Sequence, residues 1–311
     1  MAADPPPGIE VTRDEALNAH TYFRIGGPAQ FFATPADIDE LKRLAAWVAE
    51  ETLPLRTLGG GSNVLVADAG VSGLVVSLRA ACSDVEIQGA ALSVGAAVML
   101  PSLARAAAER GLGGLEFAIG IPGSIGGALQ SNAGIGDGRE IGALVRTVDV
   151  LADAEVRTLS ARELSFGYRQ SSLRESGAVV LGATLELHER PREEIEAEMR
   201  QLLEARAATQ PTAGPNAGSM FRNPPGDYAG RVIEAAGCKG LASGAASVSE
   251  LHANFIVHDG AATAADVASL MSLVQQRVLD DAGLWLHPEI EWWGDGEPPE
   301  PWRDRPAAAP R

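Results

Sequence analysis

Gly120-Ile121-Pro122-Gly123-Ser124-Ile125-Gly126-Gly127 is the stretch whose reading decides the fold. Glycine lacks Cβ and admits positive φ, so successive amides along such a run can converge on an anion and approach it closely. Working outward, Leu58-Gly59-Gly60-Gly61-Ser62-Asn63 and Asn132-Ala133-Gly134 have the same character. Tight turns between strands would explain any one of these segments alone, but three together point to a diphosphate gripped by peptide amides. GxGxxG after a strand and GxxxxGK[ST] are both absent, so the Rossmann and Walker arrangements fail on their own terms.

Around these loops, short apolar runs at Val64 to Val66, Leu74 to Leu78, Val85 to Ile87, Leu92 to Val94, Val145 to Leu151 and Val179 to Leu187 read as strands. Ile38, Leu41, Leu44 and Val48 recur at helical spacing, with Thr34 as the expected cap and Pro35 in the first turn; a second helix is predicted near 102–110. Strand-strand-helix order argues α+β rather than a doubly wound fold, in which strand and helix alternate. A charged helical stretch from Glu193 to Ala208 reads as a connector before the break at Pro211 to Pro215. Beyond it Asp227 is the expected cap of a short helix. Thr263 is the expected cap of a longer one that buries Val267, Leu270, Met271, Val274 and Val278 and stops at Gly283. The expected organisation is a mobile N-terminus over 1–17, a first domain over 18–208, a second over 209–296, and a mobile tail over 297–311.

With 311 residues the chain has length enough for two domains. A net charge of −16 and a pI of 4.7, with Lys42 and Lys239 the only lysines, argue against a nucleic-acid or anionic-membrane surface. In so acidic a protein, backbone amides are the natural anion binders. No run approaches a bilayer span and the first ten residues do not resemble a signal peptide, so a cytoplasmic protein is expected. Cys82 and Cys238 lie far apart without CxxC spacing and read as buried thiols. His252 and His258 lack a third ligand at metal-site spacing, so no metal is expected. Ser219 follows Gly218 but does not complete a GxSxG elbow, which removes the serine-hydrolase reading.

Several motifs carry a family resemblance. His20-Thr21-Tyr22-Phe23-Arg24-Ile25-Gly26-Gly27, the loop from Leu58 to Asn63, and Gly120 to Gly134 resemble the FAD-binding signatures of the UDP-N-acetylenolpyruvoylglucosamine reductase (MurB) family. Tyr168-Arg169-Gln170-Ser171, Ala217 to Pro224, Ala236 to Gly240, His252-Ala253-Asn254-Phe255 and Pro288-Glu289-Ile290 continue it in order over roughly residues 20 to 294. The resemblance implies a two-lobed FAD-binding domain of the vanillyl-alcohol-oxidase (PCMH) type, followed by a smaller α+β substrate-binding domain. It implies NADPH as hydride donor and a UDP-sugar enolpyruvyl ether as substrate. Leu58, Gly59, Gly60, Gly61, Ser62, Asn63, Gly120, Ile121, Pro122, Gly123, Ser124, Gly126, Gly127, Asn132, Ala133 and Gly134 are the expected cofactor residues. No histidine lies in the two main glycine loops, so the FAD is expected to be non-covalent.

The same resemblance singles out Arg169, Ser219 and Glu289 as catalytic. Read alone, each has an ordinary explanation: a surface ion pair, a turn serine, a salt-bridged carboxylate near the chain end. Within the motif, Arg169 would hold the enolpyruvyl carboxylate and gain strength as charge develops there. Ser219 would protonate the α-carbon. Glu289 would have to be protonated, because an ionised carboxylate beside a growing negative charge raises the barrier. Tyr168, Gln210, Asn223, Lys239 and Asn254 are the expected substrate-side contacts. Arg222 stands where the family often has lysine, which keeps the charge but changes its geometry. The short interval between Arg169 and Ser219 resembles the shorter, type II-like branch. A flavin oxidase of the same fold and a non-catalytic flavin or nucleotide-sugar module are the competing readings. A monomer is expected.

Overall fold

The structure, a computed structural model, describes residues 4–303. It divides into two compact units, both discontinuous in sequence. The first takes the residues up to Glu15, then Gln30–Gly60 and Gly73–Ala208; the second takes Ala16–Ala29, Gly61–Ser72 and everything from Thr209 onward. Strand pairing explains why early segments join the second unit: Val64–Val66 lies parallel to Glu291–Trp293, in register Val64 with Glu291. Phe23, Ile25 and Leu65 are buried in the same core as residues from the C-terminal part.

In the first unit a five-stranded antiparallel sheet runs in the order Glu155–Ser160, Val145–Ala152, Val179–Glu186, Ala91–Gly95, Val85–Gln88. A second sheet has the order Val11–Ala16, Pro28–Ala33, Val71–Ser77, Leu55–Leu58, its last pair parallel. The N-terminus read as mobile over 1–17 is corrected here: Val11–Ala16 is a strand, because it pairs with the sheet while Val11 packs on the first core. Residues 1–3 of that expectation lie outside the described residues.

Helix α1 (Ile38–Glu50) is capped by Asp37, whose carboxylate accepts from Glu40 N at 2.8 Å, rather than by Thr34. Glu40 in turn accepts from Ala36 N, so the reciprocal acceptors set the start three residues past Pro35. Its buried face, Leu41, Leu44, Trp47 and Val48, packs in the first core, with Trp47 edge-on to Phe31. Helix α2 (Leu100–Glu109) and α3 (Ile125–Ser131) flank the long glycine run, and α4 (Ser172–Ser176) follows a tight hairpin. Helix α5 (Arg192–Thr209) is the charged stretch; it buries Ile195 and Met199 and is tied down by ions. Glu198 takes Arg190 at 2.6 Å and Arg139 at 2.5 Å, and Arg190 also reaches buried Glu116 at 2.9 Å. The Arg190 guanidinium, then burial's opposing effect, then Arg139, leave the Glu198 carboxyl below its ordinary range.

In the second unit a three-stranded antiparallel sheet, Ala242–Ser243, Ala246–Val248 and Ile256–His258, packs with α6 (Ala229–Ala235) and α7 (Ala264–Ala282). Asp227 does not cap α6; Tyr228 occupies that position. The Asp227 carboxylate binds Arg231, which holds its pKa down to about 2. Helix α7 follows its expectation closely: Val267, Leu270, Met271, Val274 and Val278 are all buried, and Gly283 closes it at φ +67°. Its start carries a capping box between Thr263 and Asp266, and Asp68 accepts from Ala264 N at 2.8 Å and Ala265 N at 3.0 Å.

At the far end, Gln275 is fully buried and donates to Leu286 O and Pro301 O. Part of the tail read as mobile is therefore ordered: Glu300–Trp302 forms a 3-10 turn and Trp302 Nε1 donates to Ile290 O at 2.9 Å. Residues 304–311 of that expectation lie outside the described residues. Both cysteines are buried and unpaired, and burial pushes their thiols up, Cys82 to about 11. Replacing Thr263 by alanine removes one of the acceptors at the start of α7. It is expected to cost about 1 kcal/mol in urea unfolding with an unchanged m-value.

Candidate active site

In the first unit the glycine segments meet backbone to backbone. A Cβ on Gly59 would stand 2.3 Å from Ser124 Oγ, and one on Gly60 would stand 2.8 Å from Gly123 Cα. Only glycine lets the end of strand Leu55–Leu58 come this close to the loop before α3. That loop is laced to the chain ahead of it: Leu100 N donates to Gly123 O, Ile125 N to Val98 O and Gly126 N to Ala96 O, all within 2.8–2.9 Å. Ser124 is 2% exposed, and its hydroxyl neither caps α3 nor has a partner in the protein. A buried hydroxyl left unpaired costs on the order of 1–3 kcal/mol, which a polar ligand atom would relieve. A Cβ-free approach and an orphaned buried hydroxyl fit a dinucleotide diphosphate. Gly120, Ile121 and Pro122 are half-buried, Gly126 is buried and Gly127 is exposed.

The third segment serves a different purpose. Asn132 closes α3 at φ +45°, is 1% exposed, and spends its carboxamide inside the protein. Its nitrogen donates to Glu140 at 2.6 Å and to Gly167 O at 3.0 Å, and its oxygen accepts from Gly142 N. Gly167 belongs to a hairpin, Phe166–Gly167 paired with Gln170–Ser171, whose turn is Tyr168 and Arg169. Arg169 has φ +55°, costly for a non-glycine residue, and its guanidinium donates to Gly134 O at 3.1 Å. Ala133 and Gly134 are buried. The structure thus brings Arg169 to the third glycine segment, with its guanidinium 5.5 Å from the ring of half-exposed Tyr168.

The second unit assembles Ser219 and Glu289. Glu289 N donates to Met220 O at 2.8 Å, Phe221 bridges Pro288, and Arg222 N donates to His287 O at 2.9 Å. Two short segments therefore run antiparallel with Met220 opposite Glu289 and Ser219 one residue beyond; Ser219 and Glu289 are each half-buried. Asn63 joins them: its side chain donates to Glu289 O at 3.2 Å and its carbonyl accepts from Glu291 N. Gly61 is buried against His20 and Thr21, where a Cβ would meet His20 O at 2.3 Å, and Ser62 is half-buried beside it. Thr21 Oγ1 is a second buried hydroxyl with no partner in the protein.

The other expected contacts have defined places. Asn254 is 3% exposed and gives both ends of its carboxamide to Phe221. Asn223 accepts from Ala229 N at the start of α6, Lys239 pairs with Glu234 at 2.8 Å, and Gln210 is half-buried just past α5. Arg222 is half-buried with its Nε unpaired. Among the described residues no three His, Cys, Asp or Glu gather as a metal site. His258 bonds to Phe23 O, and His252 rests on the Phe255 ring, burial pushing its pKa down. Sequence reading missed Thr21 as a buried unpartnered hydroxyl, although its motif was seen, and missed the Glu116–Arg190–Glu198–Arg139 chain. Only tertiary contact reveals these; the ion chain spans positions with no local spacing.

Comparisons with known proteins agree with this geometry. Residues 29–160 match the FAD binding domain model, and residues 210–293 match the model for the UDP-N-acetylenolpyruvoylglucosamine reductase C-terminal domain. The chain is 47% identical over 293 residues to the reductase of that name from Moorella thermoacetica, covering 93% of this chain and 95% of the relative. It is 45% identical over 288 residues to UDP-N-acetylenolpyruvoylglucosamine reductase 2 of Symbiobacterium thermophilum, covering 93% of each. The crystal structure of UDP-N-acetylenolpyruvylglucosamine reductase (MurB) from Thermus caldophilus superposes with a TM-score of 0.78 at 38% identity, covering 92% of this chain and 99% of that one. The α+β fold, the amide-lined glycine loops and these full-length likenesses together establish that the chain belongs to the UDP-N-acetylenolpyruvoylglucosamine reductase family.

Proposed function

We propose that this protein reduces UDP-N-acetylglucosamine enolpyruvate to UDP-N-acetylmuramate, using NADPH and bound FAD, in peptidoglycan precursor synthesis. The observation that carries the reading is the backbone bond from Glu289 N to Met220 O, which ties Glu289 to the residue next to Ser219, in a chain of this family. FAD, held non-covalently, supplies a two-electron carrier that accepts a hydride from the nicotinamide and passes it to carbon. Gly59, Gly60, Gly123, Ser124 and Gly127 would hold its diphosphate through amides, with the Ser124 hydroxyl as an added donor; the amides of Ile125 and Gly126 already donate to Val98 O and Ala96 O.

The substrate is a vinyl ether bearing a carboxylate. When its terminal carbon gains a hydride, electron density moves onto the α-carbon and carboxylate. Arg169 binds that carboxylate with a planar fork whose strength grows with the charge. The strained turn that carries Arg169 fixes where the fork points. Ser219 then gives its proton to the α-carbon and recovers one from solvent, so one hydride and one proton add across the double bond. Glu289 stands protonated when substrate is bound and donates to the developing enolate. Ionised at 4 Å from it, the carboxylate would oppose the step by about 4 kcal/mol at an effective dielectric of 20. Tyr168, Gln210, Asn223 and Lys239 complete the substrate side. The enzyme is read as cytoplasmic and monomeric: exposed leucines on α5 and α7 are single, and no helix among the described residues is long and apolar enough to cross a membrane.

The flavin oxidase alternative separates in one experiment. Under anaerobic conditions NADPH should bleach the yellow protein, and the enolpyruvyl substrate should restore the colour; bleaching by an alcohol or sugar instead would select the oxidase. In the Ser219→Ala variant bleaching should proceed normally while recovery slows by roughly 10²-fold to 10⁴-fold. Normal turnover in that variant would remove the acid role. Glu289→Gln, which keeps a donor without a charge, should retain far more activity than Glu289→Ala. Gly60→Ala places a methyl against Gly123 Cα and is expected to weaken FAD binding about tenfold or more, a loss near 1.4 kcal/mol, read by titrating the flavin-free protein.

A further inference from the structure

We propose that Asn254 is a positioning residue for Ser219, acting through the backbone of Phe221; the inference rests on the acid role given to Ser219 above. The carboxamide of Asn254 is buried and engaged at both ends: Phe221 N donates to its Oδ1 at 2.9 Å and its Nδ2 donates to Phe221 O at 2.8 Å. Its own carbonyl accepts from Met220 N at 2.9 Å. Three hydrogen bonds thus fasten the segment Ser219-Met220-Phe221 along one edge, two of them from a single side chain. The other edge of that segment is the one paired with His287 to Glu289. Asn254 therefore fixes the strip next to Ser219, and through it the backbone pairing with Glu289, from a side chain that is 3% exposed and turned to Phe221.

No other side-chain type of this size reproduces the pair. Aspartate, when ionised, accepts from Phe221 N but faces Phe221 O with a like partial charge, and alanine leaves both backbone groups of a buried residue unpaired. A misplacement of about 1 Å at a reacting group costs on the order of 10²-fold in rate. The loss should fall on the proton-transfer step. NADPH oxidation needs neither Ser219 nor Glu289.

The test is anaerobic rapid mixing of the FAD-loaded protein in two steps, for wild type, Asn254→Asp, Asn254→Ala, Ser219→Ala and the double variant Asn254→Asp with Ser219→Ala. Bleaching by NADPH should stay within about twofold of wild type, while reoxidation by the enolpyruvyl substrate slows by about tenfold to 10²-fold. In the double variant the aspartate should add less than about twofold to the loss already caused by Ser219→Ala, because both changes disable one step. Lowering the pH should restore reoxidation in Asn254→Asp, whose protonated carboxyl regains a donor, and should do nothing for Asn254→Ala. Equal slowing of both steps, multiplying losses in the double variant, or no slowing at all would overturn the inference. So would failure of both single variants to retain flavin, since that makes Asn254 a general folding residue. If wild type itself does not reoxidise with the enolpyruvyl substrate, or Ser219→Ala reoxidises normally, it is the parent reading that fails.

Discussion

Everything at the cofactor side of this protein depends on a place where two backbones touch without side chains between them. Gly59 and Gly60 lie against Gly123 and Ser124 at distances that leave no room for a Cβ. In a chain where 41 acidic residues outnumber 25 basic ones, side-chain charge is an unpromising way to hold a diphosphate. Peptide N–H groups would do it at fixed positions and without ordering long flexible side chains. The cost is conformational: a chain so rich in glycine loses more entropy on folding at those loops. Dense lacing by Ala96 O, Val98 O and Gly123 O offsets it.

A second theme is the use of buried carboxamides as struts. Asn132 ties the end of α3 to the hairpin that presents Arg169, and Asn254 ties down the segment that presents Ser219. In each case an asparagine supplies a donor and an acceptor at once, satisfying buried peptide groups that no sheet or helix reaches. The groups proposed to react stand on short irregular segments, each braced by a buried neighbour whose amide is engaged at both ends. Both asparagines sit in motifs shared with the family, and their hydrogen bonds run to the protein's own backbone and to Glu140.

Much of this was legible from residues alone. The strands at Val145 and Val179, the face of α7 and its stops at Thr263 and Gly283 follow from periodicity and capping chemistry, because those signals act within a turn or two of chain. The ordered motifs carried the family, and the roles proposed for Arg169, Ser219 and Glu289 rest on them. Local signals failed where partners competed: Asp37, not Thr34, accepts at the start of α1, and Asp227 accepts from the Arg231 guanidinium rather than capping α6.

Sequence by itself determined the fold class, the absence of a Rossmann or Walker loop, and the family. Tertiary structure alone decided that Ala16–Ala29 and Gly61–Ser72 belong with the C-terminal residues, because that membership comes from the pairing of Val64–Val66 with Glu291–Trp293, more than two hundred positions away. It alone decided that Glu289 is bonded to the residue beside Ser219 and that both ends of the buried Asn254 carboxamide go to Phe221. Short-range patterns record what a residue prefers; hydrogen bonds between distant segments record what it is used for, and those bonds exist only once the chain has closed.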